Sequence, residues 1–388
     1  MDPDLSVVDD FLTDDGHDGY LVDAADDSTQ LYLSGFDAAD PFVTLYTPER
    51  TVLLVSGLEY SRARADSRAD EVRRWAEFDL RDRAVEHGRE RARNLALAAF
   101  CEAYGVDSLA VPARFPLWTA DGLRGADVAV TPDAHDHVAD ARAVKADEEV
   151  AAIRETQRAN QAAMAAAEDL LAGADVVDGV LHHEGEALTS ERVREEIEVS
   201  LVREGCGLDE TIVSCGADAA VPHERGSGPL RADETVIVDI FPRGEAGYYG
   251  DMTRTFVKGT PGDAARAFYE ATERAFEAAL DALGPGVTGA AVHDAVCDVY
   301  EDAGHATLRS DDRTETGFIH STGHGVGLDV HESPRLAADG ERLRPGHVVT
   351  VEPGLYDPEV GGVRTEDLVV VTEDGYENLT DYPHTFTL

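Results

Sequence analysis

The sequence predicts an α+β protein of two domains, an α/β domain over residues 1–141 and a mixed domain over residues 142–388. Three observations support this prediction. A chain of 388 residues suits two or three domains of about 150 residues each. Short apolar runs alternate with amphipathic helical patterns along both parts of the chain. The chain turns polar around residues 132–147, directly before a long helical pattern, which places the boundary near Arg142.

The amino-terminal domain is predicted to alternate strands and helices. Short apolar runs bounded by turn residues indicate strands over 20–23, 31–33, 43–47, 51–55, 108–111 and 127–130. Apolar positions spaced for one helix face predict a single amphipathic helix over 81–104, which Gly105 ends. This domain carries no group of side chains with an evident chemical role.

The carboxyl-terminal domain is predicted to place helices against a sheet. Helical patterns cover 148–172, 190–204, 262–283 and 290–303. Apolar runs predict strands over 211–214, 235–240, 251–257, 348–352 and 368–372. Residues 173–188, between the first two of these helices, are predicted to be irregular.

The net charge of the chain is unusual, because 78 acidic residues against 33 basic ones give −45 at pH 7. Only two of the basic residues are lysines, Lys145 and Lys258. Such a field repels nucleic acids and anionic membranes, so neither is expected as a partner. The acidity is spread along the whole chain, which favours a halophilic protein, whose self-repulsion salt would screen, over an ordinary acidic cytosolic protein.

The sequence also predicts a cytoplasmic location. The first residues, MDPDLSVVDD, contain neither a basic region nor an apolar run, so no secretory signal is expected. No stretch approaches the ~20 apolar residues that a membrane span needs. The four cysteines are far apart and form no CxxC motif, which is typical of free thiols in intracellular proteins.

A stretch near the carboxyl end, FIHSTGHGVGLDVHESP, collects His320, His324 and His331 among glycines. Imidazole is the commonest metal-binding side chain, and glycines let a backbone approach a ligand closely. On its own, the stretch could also be a glycine-rich loop whose histidines are merely hydrogen-bonded. Its interpretation therefore depends on acidic residues elsewhere in the chain.

Two pairs of carboxylates are predicted at the ends of apolar strands. Asp239 interrupts the run VIVDI and Asp251 opens DMTRTF after a turn, so a hairpin can bring them together. Glu352 ends VVTVE, and Glu366 begins EDLVVV after a second turn. A carboxylate buried without compensation costs several kcal/mol, so these positions need a cation. The aspartates could also be ordinary turn residues, but the apolar residues directly before Asp239 argue against this.

Four carboxylates with one histidine form an oxygen-rich set of ligands. Such a set suits Mn²⁺, Co²⁺, Fe²⁺ or Zn²⁺ and exceeds what one ion requires. Two ions about 3.5–4 Å apart, bridged by carboxylates, would make a water nucleophilic near neutral pH.

Together these motifs resemble the pita-bread metallopeptidases, a family that includes methionine aminopeptidase, aminopeptidase P, prolidase and the metal-free creatinase. The matching segments are VDI with DMTRTF, HSTGHGVGLDVHESP, and VEPGLY with GGVRTED. The resemblance covers the whole second domain and implies a pita-bread catalytic fold. It implies two divalent metal ions, with Mn²⁺ favoured and Co²⁺, Zn²⁺ or Fe²⁺ possible. The implied ligands are Asp239, Asp251, His324, Glu352 and Glu366.

The resemblance also implies roles for individual residues. Asp251 and Glu366 would bridge the ions, while Asp239 would be a bidentate ligand of one ion. His324 and Glu352 would bind the other ion, and Glu352 would also shuttle a proton during catalysis. The implied substrate-contacting residues are His223, His320, His331 and Arg364, of which His320 and Arg364 are typical of the proline-specific branch.

The first domain strengthens this assignment. LYLSGF and the junction RAVK, followed closely by EEV, resemble the creatinase-like amino-terminal domain and linker of prolidases and aminopeptidase P. Methionine aminopeptidases lack that domain. In the family it contributes to dimer formation, so the resemblance implies a homodimer.

Two departures from the family pattern concern the first pair of ligands. Asp239 and Asp251 are one residue further apart than is usual in the family. Ile240 is followed by Phe241 and Pro242, where a glycine is usual, which would reshape the wall of the pocket. Neither departure removes a ligand.

The function that the resemblance implies is metal-dependent hydrolysis of the Xaa-Pro bond at the amino terminus of short peptides. The substrate would be a small peptide with proline at the second position, and the short first domain favours an Xaa-Pro dipeptidase. The alternative is an Xaa-Pro aminopeptidase of the aminopeptidase P type. A creatinase-like C–N hydrolase and, more remotely, a non-catalytic pita-bread binding protein are disfavoured because all five ligands are intact.

Overall fold

A computed structural model describes residues 3–388, and in it the chain divides into one unit that ends at Arg142 and another that begins at Ala143. The strands of the first unit are β1 (Gly19–Ala24), β2 (Phe42–Thr47), β3 (Arg50–Val55), β4 (Glu71–Arg74), β5 (Ser108–Pro112) and β6 (Ala129–Asp133). Its helices are α1 (Ser6–Asp15), α2 (Ser28–Ser34), α3 (Tyr60–Asp66), α4 (Leu80–His87), α5 (Arg89–Ala103), α6 (Leu117–Arg124) and α7 (His137–Ala143).

The six strands of the first unit form one sheet in the order β4-β3-β2-β1-β5-β6. The central pairings mix antiparallel and parallel geometry: β1–β2 and β2–β3 are antiparallel, and β1–β5 is parallel. Val43 and Leu45 of β2 pack with Leu97 and Phe100 of α5 in the buried core. The alternating apolar residues that predicted these strands therefore face a helix.

Two predictions for the first unit are wrong in detail. Residues 31–33 are not a strand but lie in α2, because the Asp27 carboxylate caps this helix by accepting from the Gln30 amide at 2.9 Å. The predicted single helix over 81–104 is two helices, α4 and α5, broken at Gly88, whose φ of 79° is outside the helical region.

The second unit holds four long helices and thirteen strands among the described residues. The helices are α8 (Asp147–Ala172), α9 (Ser190–Arg203), α10 (Asp263–Ala282) and α11 (Gly289–Asp302). The first strands are β7 (Asp175–Val177), β8 (Val180–His183), β9 (Glu186–Ala187), β10 (Thr211–Cys215), β11 (Val236–Ile240) and β12 (Met252–Phe256). The remaining strands are β13 (Gly323–Gly325), β14 (Glu332–Leu336), β15 (Val348–Val351), β16 (Gly354–Asp357), β17 (Gly361–Arg364), β18 (Asp367–Val371) and β19 (Tyr376–Asn378).

The strands of the second unit form several small antiparallel sheets. One has the order β10-β11-β12 and another the order β14-β13-β15-β18-β19, while β16 pairs with β17. Helices α8 and α9 cover one buried cluster that includes β11 and β12, and α10 and α11 cover a second that includes β15 and β18. All four predicted helices and all five predicted strands of this unit are present.

Residues 173–188 were predicted to be irregular, and this is wrong. They contain β7, β8 and β9, which form a three-stranded antiparallel sheet. Two-residue turns join the strands, Asp178-Gly179 and Glu184-Gly185, and all four residues have positive φ. Asp-Gly between short strands is a strong hairpin signal. The acidic residues around it are also typical of an exposed loop.

All four cysteines are unpaired, as predicted. Cys101, Cys206 and Cys297 are buried, and Cys215 is partly exposed. Over residues 3–388, no helix combines the length and apolar character needed to cross a membrane.

Arg254 of β12 joins the two clusters of the second unit from inside the protein. It is only 1% exposed, and its Nη2 donates to Oδ1 of Asp367 at 2.8 Å. Its remaining donors reach the carbonyl oxygens of Thr253, Glu366, Tyr382 and Pro383 at 2.7–3.1 Å. A buried guanidinium with all its donors satisfied fixes β12 against the start of β18.

Replacing Arg254 with methionine removes this charge but keeps an apolar side chain of similar length. Asp367 then loses its guanidinium partner and keeps only Asn378 and His384, and breaking a buried pair from one side costs about 3–5 kcal/mol. We expect the free energy of unfolding, measured by urea titration, to fall by about that amount. The control is Arg154→Met, whose exposed pair with Glu377 should contribute less than ~1 kcal/mol. Small and equal losses in both variants would contradict the structural role of Arg254.

Candidate metal centre

Thr253 lies between two of the acidic residues predicted as ligands, Asp239 and Glu366. Thr253 lies opposite Asp239 in the β11–β12 hairpin, and a backbone bridge joins Thr253 to Glu366 at the start of β18. The Thr253 hydroxyl donates to Oε2 of Glu366 at 2.6 Å. Asp239, Asp251 and Glu366 are 8%, 3% and 2% exposed, so these carboxylates are buried together.

His324 of β13 faces the carboxylates with a defined tautomer. Its Nδ1 lies 3.1 Å from the carbonyl oxygen of Gly325, so Nδ1 carries the proton and Nε2 presents a lone pair. Nε2 lies 3.3 Å from Oε1 of Glu352 and 3.7 Å from Oδ2 of Asp251. Donor atoms of Asp251, His324 and Glu366 all lie within 4.8 Å of one another, close enough to surround one ion.

The glycines beside His324 are required by close packing of β13 between two strands. A Cβ at Gly323 would lie 2.0 Å from the carbonyl oxygen of Thr350 on β15. A Cβ at Gly325 would lie 2.2 Å from the carbonyl oxygen of Ser333 on β14. Larger residues would push β13 away, so the glycines determine how far His324 reaches into the site.

Burial and mutual repulsion shift the titration of the acidic cluster. Burial and the charge of Glu366 raise the pKa of Asp251 well above its ordinary value. Burial and the charges of Glu352 and Asp239 do the same to the pKa of Glu366. Burial raises the pKa of Glu352 to about 7. Burial lowers the pKa of His324 to about 4, which keeps its imidazole neutral and able to bind a metal.

Arg364 of β17 links Asp239 to a chain of hydrogen bonds. Its Nη2 donates to Oδ2 of Asp239 at 2.6 Å, and its Nη1 donates to the Tyr356 hydroxyl at 2.9 Å. His320 Nδ1 donates to the Ser321 carbonyl at 2.7 Å, so its Nε2 accepts from the Tyr356 hydroxyl at 3.0 Å. Burial and the charge of Arg364 lower the pKa of His320 to about 3, so this histidine is neutral.

Tyr356 is a site residue that the sequence analysis missed. It is fully buried, and burial raises its pKa to about 12, so it remains a hydroxyl. Its strand β16 pairs with β17, which carries Arg364. The signal in the sequence was a tyrosine four residues after Glu352, because a buried tyrosine hydroxyl needs a polar partner.

His331 and His223 lie on the open side of the cluster. The His331 ring is 4.2 Å from the His324 ring, and its side chain is exposed. Partial burial of its ring beside His324 lowers the pKa of His331. His223 is exposed and lies in the loop between β10 and β11.

Arg335 is a second residue that the sequence analysis missed. It lies on β14 directly opposite His324 of β13, and directly opposed residues of antiparallel strands present their side chains on the same face. Arg335 is exposed, and within residues 3–388 its guanidinium makes no hydrogen bond or ion pair. The site therefore has a free cation beside the proposed ligands.

The sequence matches the family described as metallopeptidase family M24 over residues 151–373. The chain belongs to metallopeptidase family M24. Residues 5–156 match the creatinase/prolidase N-terminal domain. The predicted family, the α+β fold class with its pita-bread second domain, and the metal-dependent hydrolase are thereby confirmed.

Relatives of this M24 metallopeptidase match both of its domains. It is 27% identical to the Xaa-Pro dipeptidase of Pyrococcus horikoshii over 386 residues, covering 98% of this chain and 97% of the relative. Its structure matches the prolidase from Pyrococcus horikoshii OT3 with a TM-score of 0.80 and 25% identity, covering 98% of both chains. It also matches dipeptidase PepE from Mycobacterium ulcerans, with a TM-score of 0.78, 29% identity and coverage of 99% and 97%.

The residues of this metallopeptidase fit divalent metal ions. Oδ1 of Asp239 is buried and, among the described residues, has no hydrogen-bond partner. Buried carboxylates that repel one another can be ionised together only if a cation neutralises them. Oδ2 of Asp239 already accepts from Arg364, so bidentate binding by Asp239 would require Oδ2 to be shared.

Glu366→Gln tests the balance between repulsion and metal binding. In the metal-free protein we expect the melting temperature to rise by a few degrees, because one repelling carboxylate is gone while the new amide oxygen can still accept from Thr253. Affinity for Mn²⁺, measured by calorimetry, should fall by more than the ~10–100-fold that loss of an outer partner costs. The exposed Glu359→Gln should change neither quantity. A less stable metal-free protein with unchanged Mn²⁺ affinity would show that Glu366 is not a ligand.

Proposed function

We propose that this M24 metallopeptidase is an Xaa-Pro dipeptidase. The observation that carries the proposal is the free cation of Arg335 beside His324, because the carboxylate of a dipeptide lies one residue beyond its scissile bond. A charge-assisted hydrogen bond there would fix the length of the substrate. The similarity to Xaa-Pro dipeptidase along both domains supports the same function.

Five residues would hold two divalent ions, with Mn²⁺ as the first candidate and Co²⁺, Zn²⁺ or Fe²⁺ as alternatives. These residues are Asp239, Asp251, His324, Glu352 and Glu366. When bound, such ions supply Lewis-acid activation of a water and of the substrate carbonyl. Arg364 and Thr253 would keep the carboxylates in place, since both already donate to them.

Glu352 would move the proton that the reaction transfers. Its Oε1 accepts from the Thr350 hydroxyl at 3.2 Å and lies 3.3 Å from His324 Nε2, so it stands at the edge of the cluster. Hydrolysis adds water across the C–N bond, and the prolyl nitrogen must gain a proton to leave as an amine. Glu352 takes a proton from the attacking water and delivers it to this nitrogen.

The histidines would act on the substrate. His331, neutral because its pKa is lowered, can donate a hydrogen bond to the carbonyl oxygen as negative charge develops on it. His223 would contact the substrate near the scissile bond. His320 and Arg364 are already bonded to Tyr356, so we infer that they orient the site rather than contact the peptide.

The direct test compares hydrolysis of Leu-Pro with hydrolysis of Leu-Pro-Gly, in molar salt with Mn²⁺. We expect the dipeptide to be cleaved in preference, and His324→Ala to cleave neither, because a metal ligand is lost. Preference for the tripeptide would instead indicate an Xaa-Pro aminopeptidase. Failure on both substrates by the metal-loaded protein would contradict Xaa-Pro specificity.

Arg335→Met tests the carboxylate site within the same assay. We expect KM for Leu-Pro to rise about 10–100-fold, which corresponds to losing a hydrogen bond to a charged group. Hydrolysis of Leu-Pro amide, which has no carboxylate, should be unchanged. Arg342→Met serves as the control, because this exposed arginine donates to the Gly286 carbonyl instead. Equal effects on the acid and the amide would exclude Arg335 as the carboxylate partner.

We also propose a cytoplasmic homodimer adapted to high salt. The adjacent Leu117 and Trp118 of α6 are 71% and 61% exposed, and a contact between subunits would bury this apolar pair. The charge of −45 requires screening. Sedimentation equilibrium and thermal unfolding at low and at molar KCl should show a dimer that gains stability with salt. A monomer in molar KCl would contradict the homodimer. Equal stability at low and at molar KCl would contradict the adaptation to high salt.

A further inference from the structure

Phe241, which replaces the glycine usual in the family, lies directly beside the proposed ligands. The β11–β12 ladder runs from Val236 opposite Phe256 to Ile240 opposite Met252. The same register continues to the pair Arg243 and Tyr249, and the Gly250 amide donates to the Pro242 carbonyl at 3.0 Å. This unbroken register places Phe241 opposite Asp251.

The register also determines which face Phe241 occupies. Opposed residues of antiparallel strands share a face, and so do alternate residues of one strand. Phe241 therefore lies on the face of Asp251 and Asp239. Ile240, on the opposite face, is fully buried and packs with Met252 in the core. Phe241 is only half-buried, so part of its ring faces open space on the side of the ligands.

The extra residue of this hairpin is accommodated away from the ligands. No bulge interrupts the ladder between Asp239 and Arg243, a segment that the structure describes in full. The chain turns instead at its tip, where the Gly244 amide donates to the Tyr248 carbonyl and the Gly247 amide to the Gly244 carbonyl, both at 2.9 Å. The added length therefore extends the hairpin and leaves Phe241 in regular extended backbone.

The extended hairpin is held on both sides. Arg243 exchanges backbone hydrogen bonds with Gly207 at 2.8 and 2.9 Å. On the other side, the Tyr249 amide donates to the Gly327 carbonyl at 2.8 Å, within the segment that leads to His331. A strand anchored in this way presents Phe241 as a fixed wall, which needs little reorganisation when a substrate binds.

The position of Phe241 indicates which part of a substrate it contacts. In the proposed function, the carboxylate of the dipeptide lies at Arg335 on β14, and the scissile carbonyl lies among the ligands and His331. The amino-terminal residue then extends away from Arg335, toward the β11–β12 hairpin. Phe241 is a large apolar side chain on that side, and by the same register Tyr249 shares its face.

We propose that Phe241 forms the apolar wall of the pocket for the first side chain of the substrate. The inference rests on the proposed function and adds to it a preference for dipeptides with a large apolar first residue. Leucine or methionine would pack on the ring, and glycine would leave it uncovered. One or two methylene contacts in such a pocket amount to about tenfold in kcat/KM.

The experiment compares Leu-Pro and Gly-Pro hydrolysis by the Mn²⁺-loaded wild type, Phe241→Ala and Phe241→Leu. We expect the Leu-Pro to Gly-Pro ratio of kcat/KM to fall about tenfold in Phe241→Ala. Phe241→Leu should keep most of the ratio, because it keeps an apolar wall. The control is Glu245→Ala at the exposed tip of the same hairpin, which should leave the ratio unchanged.

Binding of the free amino acid products provides a second readout. By calorimetry, Phe241→Ala should lose affinity for leucine and keep its affinity for glycine. An unchanged or increased ratio in Phe241→Ala, or equal loss on both dipeptides, would overturn the inference. Wild-type cleavage of either dipeptide shows separately that the proposed function stands. If the wild type cleaves neither, the proposed function fails, and leucine binding alone decides whether the wall exists.

Discussion

Four carboxylates that repel one another are held in one buried space, and this constraint shapes the second unit. Folding must hold Asp239, Asp251 and Glu366 away from water without a full set of protein cations. Arg364 compensates only Asp239 directly, and Thr253 supplies one hydrogen bond to Glu366. The rest of the free-energy cost of burying these carboxylates lowers the stability of the metal-free fold. A bound metal ion would remove this cost. The site is therefore destabilising by itself and becomes favourable through binding, which is common for functional sites.

The strands that carry the acidic cluster are held in place by buried hydrogen bonds and close packing. Arg254 fastens β12 to the start of β18 from behind, and glycines let β13 approach both of its neighbours. A series of hydrogen bonds runs from His320 through Tyr356 to Arg364 and on to Asp239. These bonds orient the Asp239 carboxylate. None of these groups needs to touch a peptide. In the proposed function, His331 and Arg335 would then meet the substrate on the exposed side of the cluster.

The acidic cluster could be predicted from the sequence because its carboxylates interrupt or end apolar strands. Asp239 stands within a strand of β-branched residues, and Glu352 and Glu366 flank a turn between apolar strands, where burial demands a cation. Local errors had local causes. Residues 31–33 have strand-like composition, but the Asp27 cap and Gly35, with a φ of 67°, enclose a short helix. The Asp178-Gly179 turn is a hairpin signal within the segment predicted to be irregular.

The residues that could not be predicted depend on pairings between distant segments. Tyr356 matters because it meets His320 and Arg364, and Arg335 matters because β14 pairs with β13 at His324. No periodicity within either segment reveals such a partner. Phe241 was visible as a departure from the family pattern, but its face became clear only from the register that sets it opposite Asp251. In each case, prediction from the sequence would have required knowing which distant strands pair and which of their residues lie opposite one another.

We infer that the acidic cluster is a dinuclear metal centre. The most direct measurement is anomalous diffraction from crystals of the Mn²⁺-loaded protein, collected on both sides of the manganese absorption edge. We expect two anomalous peaks about 3.5–4 Å apart between Asp251 and Glu366, one of them within bonding distance of His324 Nε2 and the other of Asp239. Peaks only elsewhere, or none in a crystal whose protein binds Mn²⁺ in solution, would contradict it.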